Sequence, residues 1–312
     1  MPKKEKSAKD RLRASRVVDV PLREVSGICL RRGPKGRMAL LAIGDHKAKL
    51  AWLALPAPDD GPLDWQTISL ASLPGSELPK SDPQIEAICA DGPGRVLLLQ
   101  ESPPRAELIG ADLSRAIASI HLIVEGKSAL ARSWSDPQGS RGEGAVLLAG
   151  GHLLIAKEKK PAALIEFGPR GARPRGLARG GALAPGARWP VDNGSHEFVA
   201  LATWFPDESL AKACDDFSDL EIGPDGRLYL LSDKSASIAR IADLLPDGSS
   251  AACTATWRLE DLDGKPEGLA FDAEGRAVVA LDKRKTRNNL VLLEPAIATP
   301  AEIVARPRSV GP

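Results

Sequence analysis

Short apolar runs alternate with turn residues along nearly the whole chain from Val17 onward, and no stretch sustains a helical period. The clearest unit is DFSDLEIGPDGRLYLLSDK at 216–234. Leu220 and Ile222 begin one strand, Pro224-Asp225-Gly226 supplies a turn, and Leu228 to Leu231 forms a second strand that runs out on Asp233. The same hairpin recurs at 84–102, 141–159, 265–283 and, more loosely, 24–46. Two further apolar runs follow each copy, so each repeat supplies about four strands. In the third repeat the last of these, Glu197–Trp204, comes only after a long insertion; in the final repeat it is expected at Glu302–Arg306. A short helix is expected near Pro206–Cys214, capped by Asp207.

This pattern predicts an all-β fold, a β-propeller of four-stranded blades. Five repeats favour five blades, or six if the Gly-, Pro- and Arg-rich insertion at about 168–194 hides a degenerate one. Residues 1–15, rich in Lys and Arg, are expected to form a disordered basic tail, and 16–312 a single propeller domain. The terminal strands would close the ring in a shared blade, which removes exposed sheet edges. The insertion itself reads as a flexible surface segment or as a basic lid or partner loop.

Aligning the hairpins places Ser26, Glu86, Glu143, Ser218 and Glu267 at one anchor position. Fifteen residues later come Glu101, Glu158, Asp233 and Asp282, and the looser first copy offers Asp45. A hairpin brings the start of its first strand and the end of its second to the same sheet edge. With the first strand innermost, the anchors form an inner ring and the later acids a second ring about 4.8 Å further out. Like charges so crowded repel and raise one another's pKa. Lys159, Lys234 and Lys283 directly follow acids and could neutralise the rim; alternatively, Glu86, Glu143 and Glu267 could hold a divalent cation, since calcium takes oxygen ligands at about 2.3–2.6 Å.

Composition narrows the classes. In 312 residues the net charge is +1, which gives no electrostatic footprint for nucleic acid or an anionic membrane. Only 4% of residues are aromatic, so aliphatics must build the core. The basic N-terminus has no apolar run behind it and no segment approaches the roughly 20 apolar residues that span a bilayer, so cytoplasmic residence is expected. Cys29 and Cys89 share a repeat position and read as core fillers rather than reactive thiols. No nucleophile elbow, P-loop, HExxH or dinucleotide fingerprint is present. The four histidines are scattered: His121 is expected at an edge or in the core, His152 exposed at a turn, and His46 and His196 are candidates for acid–base chemistry.

The acid before Gly-aliphatic, the turn and the strand running out on an acid, as in 142–167, 216–241 and 265–283, resemble the bacterial SdiA-regulated and phytase-like (esterase-like) propeller families. The resemblance spans most of 24–294 and implies a propeller with a polar, calcium-binding central site. Two anchors depart from a full glutamate ring, Ser26 and Ser218. The leading expectation is a propeller that binds a divalent cation or a small polar or phosphorylated ligand at its acidic face. The rim Ser26, Asp45, Glu101, Glu158, Lys159, Ser218, Asp233, Lys234, Asp282 and Lys283 would surround the site. The alternatives are a metal-dependent hydrolase of phosphoesters or lactones, in which the same acids hold the metal, and a protein-interaction scaffold.

Overall fold

The computed structural model describes residues 10–33, 36–45, 47–56, 63–136, 139–178 and 181–299. They form an all-β structure. After β1 (Arg11–Val18), a first antiparallel meander runs through β2 (Val25–Arg32), β3 (Met38–Gly44), β4 (Lys49–Ala54) and β5 (Gln66–Ser69). A second comprises β6 (Ile85–Ala90), β7 (Val96–Gln100), β8 (Arg105–Ile109) and β9 (Ala116–Ile123); α1 (Ala129–Ser135) follows it. The third comprises β10 (Gly142–Leu147), β11 (Leu153–Lys157), β12 (Ala163–Pro169) and β13 (Gly194–Pro206), and is followed by α2 (Glu208–Ala213). A fourth joins β14 (Asp219–Ile222), β15 (Leu228–Ser232), β16 (Ser237–Ile241) and, past the short β17 (Ser250–Ala251), β18 (Cys253–Leu259). The last comprises β19 (Lys265–Phe271), β20 (Ala277–Asp282) and β21 (Leu290–Glu294), and β1 completes it.

The first strands of the meanders pack side by side in a closed cycle, β2 on β6, β6 on β10, β10 on β14, β14 on β19 and β19 back on β2. The second strands are covered on both faces. Every residue of β7, β11 and β15 is buried, which is why these strands read as continuous apolar runs rather than alternating ones. At the periphery, parallel pairing of β9 with β13 and of β1 with β18 ties neighbouring meanders together.

The N-terminus departs from expectation. Residues 11–15 are not a structureless tail but the start of β1, which pairs antiparallel with β21 from Arg13–Glu294 to Val18–Leu290. Leu12 is fully buried, while Arg11 and Arg13 both reach Glu260, at 2.7 and 2.9 Å. An outermost strand needs few apolar residues, so charge density alone misread it. The strand expected at Glu302–Arg306 lies outside the described residues, as does His46.

The insertion is neither a lid nor a loose surface segment. Leu177 and Ala182 bridge to Leu244 and Leu148, and Trp189 is fully buried with its indole N–H donating to the His152 carbonyl at 3.0 Å. Its backbone is held by Glu166, which accepts from the N–H groups of Arg175 and Gly176 at 2.9 Å each, and by the Arg95 guanidinium, which donates to the Trp189 and Val191 carbonyls. His152, expected exposed, is buried with Nδ1 2.5 Å from Glu166 Oε1 because the insertion folds over it, whereas His121 is exposed on β9. The Asp207 cap forms as expected, its carboxylate accepting from Leu210 N at 2.9 Å. Helix α1, capped by Ser128, was not anticipated.

Candidate functional site

The anchor residues owe their positions to a repeated irregularity. In the pairing of β2 with β3, β6 with β7, β10 with β11 and β19 with β20, the register slips by one residue, at Ser26, Glu86, Glu143 and Glu267 respectively. A bulge of this kind leaves one residue out of the ladder and turns its side chain. The next residue is small because the first strands approach closely there. A Cβ on Gly144 would lie 2.4 Å from Leu220 N, and one on Gly268 3.0 Å from Ile28 N. In the fourth copy Asp219 occupies this place and bridges the strands instead, Oδ1 accepting from Leu220 N and Oδ2 from Leu269 N, both at 2.7 Å.

All five anchors line one cavity of about 310 Å³ at this end of the ring. Of the second-ring acids, Asp45, Glu158, Asp233 and Asp282 join them, with Lys159 and Lys234. Two expected members do not. Glu101 is turned aside to accept from the backbone N–H of Arg141 at 2.9 Å, and Lys283 binds Asp263 at 2.9 Å instead of the rim. Three charged residues that the sequence reading missed line the cavity as well: Glu24, Asp216 and Lys265. Each stands two positions before an anchor, so the same alignment carried a third ring at that offset.

Charge is unbalanced in this cavity. Among the described lining residues, nine carboxylates face three lysines. Lys159 pairs with Glu158 at 2.5 Å, Lys234 lies 3.8 Å from Asp216, and Lys265 lies 4.0 Å from Asp282. The inner glutamates are left with repulsion. Burial, followed by the charges of Glu101, Asp45, Glu267 and Glu158, raises the Glu86 carboxyl well above its ordinary range. Burial and then Glu86, Glu101, Glu158 and Glu267 do the same to Glu143. Glu267 is pushed up to about 8 by burial and then by Asp233, with Lys265 partly opposing. Asp233 and Asp282 are raised too, burial again the main cause. A half-buried pocket of mutually destabilised carboxylates is a strong acceptor for positive charge and a poor one for a free anion.

The donor set is hard oxygen, as calcium requires. Yet among the described residues no three His, Cys, Asp or Glu side chains are grouped closely enough to hold a metal directly. A metal here would keep bound water between itself and part of the ring. His196 sits apart on β13, its Nε2 2.9 Å from the Asp192 carbonyl oxygen. Cys29 and Cys89 are buried core residues as expected, their thiols raised by burial.

No protein-family model matches the chain, and no curated protein does. Among solved structures it is similar to the glutaminyl cyclase of Myxococcus xanthus, at 13% identity over 91% of this chain and 97% of that one, with a TM-score of 0.46. It is also similar to a putative gluconolactonase (14% identity, 93% and 83% covered, TM-score 0.44) and to streptogramin B lyase (11%, 89% and 67%, TM-score 0.37). At these identities the likenesses assign no activity to this chain. Among the described residues, no helix is long and apolar enough to cross a membrane.

Proposed function

We propose that the chain is a five-bladed β-propeller of four-stranded blades that binds a small cation at the acidic mouth of its central channel, with Glu86, Glu143 and Glu267 as the inner acceptors. The observation that carries this reading is the excess of nine carboxylates over three lysines around one cavity, with all three inner glutamates raised above their ordinary range. A cation entering there offsets the burial and the mutual repulsion that raise them. The resemblance to the SdiA-regulated and phytase-like families favours hydrated calcium, and the roomy cavity agrees with retained water. A phosphorylated ligand would need such a cation first, because the bare ring repels it. None of the four cysteines is in a disulfide, which supports a reducing, cytoplasmic setting.

The test is thermal unfolding in chelator, then with calcium, magnesium, manganese or putrescine restored, because a ligand bound only by the folded state raises the midpoint. A rise with one of these cations, lost in the Glu143→Gln, Glu267→Gln variant, is the expected result. No rise with any of them overturns the reading.

A second reading, metal-dependent hydrolysis of a phosphoester or lactone, is favoured by one observation: Glu267, titrating at about 8 beside Lys265, can hold or release a proton near neutral pH. Turnover of a phosphoester and lactone panel, abolished in Glu267→Gln, would establish it; an inactive panel with cation binding intact leaves the first reading alone.

A further inference from the structure

The first strands that present the acidic mouth at one end open a second cavity at the other, of about 560 Å³, lined by the far ends of β2, β6, β10 and β14 and by residues 182–186 of the insertion. Its chemistry differs from the acidic mouth: two arginines and two acids line it in a largely apolar wall. Arg31, at the end of β2, is 6% exposed and lines the cavity. Its Nη1 donates to the carbonyls of Gly94 and Ala111, at 2.9 and 3.0 Å, while Nε is buried without a hydrogen-bond partner. Among the described residues no carboxylate lies within ion-pair distance of this guanidinium, and burial depresses its pKa with only the Cys29 thiol acting against that. An uncompensated buried charge is costly, so a guanidinium that lines a cavity without a carboxylate partner favours an anion there.

Two acids share this cavity, and neither neutralises Arg31. Asp91 is consumed by Arg95, whose guanidinium approaches at 2.7 Å, and by the Trp189 N–H at 3.2 Å. Glu221 accepts from Ile222 N at 3.1 Å and makes no ion pair with Arg31, and burial pushes its carboxyl up. Arg32 adds a second, exposed cation. The remaining wall is apolar and partly open: Met38 is 36% exposed, and Leu183, Pro185, Ile222 and Pro224 complete it. A cavity of this size with one charged anchor in an apolar wall suits a small organic ligand.

We infer that this second mouth binds an organic carboxylate with an apolar body, the carboxylate pairing with Arg31 and the hydrocarbon lying between Met38, Ile222 and the insertion. The site is independent of the cation-binding reading, since the two cavities share no residue. It also gives the insertion a role: hydrogen bonds from Gly92 N to Ala187 O and from Arg95 fix it as a wall of the cavity.

Octanoate is the probe, with octan-1-ol and octylamine as matched uncharged and cationic controls, measured by isothermal titration calorimetry on the full chain. Saturable octanoate binding is expected, with both controls weaker. Arg31→Met should weaken octanoate by roughly tenfold to a hundredfold, as loss of a charge-assisted hydrogen bond does, and leave octan-1-ol unchanged. Should Arg31→Met not fold, Ala184→Trp, at an exposed position of the wall, serves instead: it should block octanoate while calcium or putrescine still raises the unfolding midpoint as in the parent. Equal affinity for octanoate and octan-1-ol, absence of saturable binding, or full affinity in a folded Arg31→Met or Ala184→Trp variant would overturn the inference.

Discussion

Glu267 links the acidic cavity to the stability of the whole chain. Its carboxyl titrates at about 8 when folded against 4.5 ordinarily, so across that window the folded state holds a proton that the unfolded state has released. Stability from such a group is fully present below the unfolded value and lost as pH rises through the folded one. Glu86 and Glu143 shift in the same direction. In chelator the unfolding midpoint should therefore fall between about pH 5 and pH 8, and a cation that binds the site should flatten the slope; a midpoint that rises over this range contradicts the assigned shifts. Asp219 is the second residue of consequence. Asp219→Ala removes the acceptor that ties β14 to β19 and leaves Leu269 N–H without its partner, a loss of about 2 kcal/mol by urea denaturation. Alignment could not single it out, because the equivalent residues are Gly27, Ala87, Gly144 and Gly268, and its value lies in reaching a neighbouring strand.

At the scale of elements, small residues after the anchors act as spacers between first strands, and the copies differ in how tightly they do so. A Cβ at position 144 would meet the backbone of β14 at 2.4 to 2.7 Å, whereas at position 27 its nearest neighbours are the Ile43 and Ile88 side chains and Ile88 N at 3.3 Å. Gly144→Ala should thus cost about 3 kcal/mol and Gly27→Ala closer to about 1 kcal/mol, measured as urea midpoints at constant m-value. Equal costs would mean that the ring adjusts uniformly. The hairpins were legible because buried second strands such as β7 and β15 are unbroken aliphatic runs between turn residues, and the repeat offset brought both acid rings to one edge. The bulges were not legible, since a register slip leaves no mark on residue type. Nor was the course of 168–194: its anchors, Trp189 and the backbone N–H groups on Glu166, are long-range contacts inside a segment whose composition reads as loop.

Across the whole molecule the closed cycle of first strands opens on two cavities of different character, an excess of carboxylates around Glu86 and Glu143 at one end, Arg31 and Arg32 beside Asp91 and Glu221 at the other. That arrangement depends on the cycle staying closed, where β19 packs on β2, and at the periphery β1 joins β21 on one side and touches β18 on the other. Leu12 is the apolar centre of the join, packed in the cluster that contains Leu259, Val291 and Leu293. If β1 were a peripheral flap, Leu12→Ala would fray the N-terminus and leave global unfolding unchanged. If it is the clasp, the same substitution, worth about 2–5 kcal/mol for a buried leucine, weakens every meander together. The expected outcome is a lowered midpoint with coincident near-ultraviolet circular dichroism and tryptophan fluorescence transitions, because meanders that share one closed cycle unfold together as a single cooperative unit. An unchanged midpoint with faster amide exchange confined to residues 11–18 would show instead that the other strands hold the ring without it.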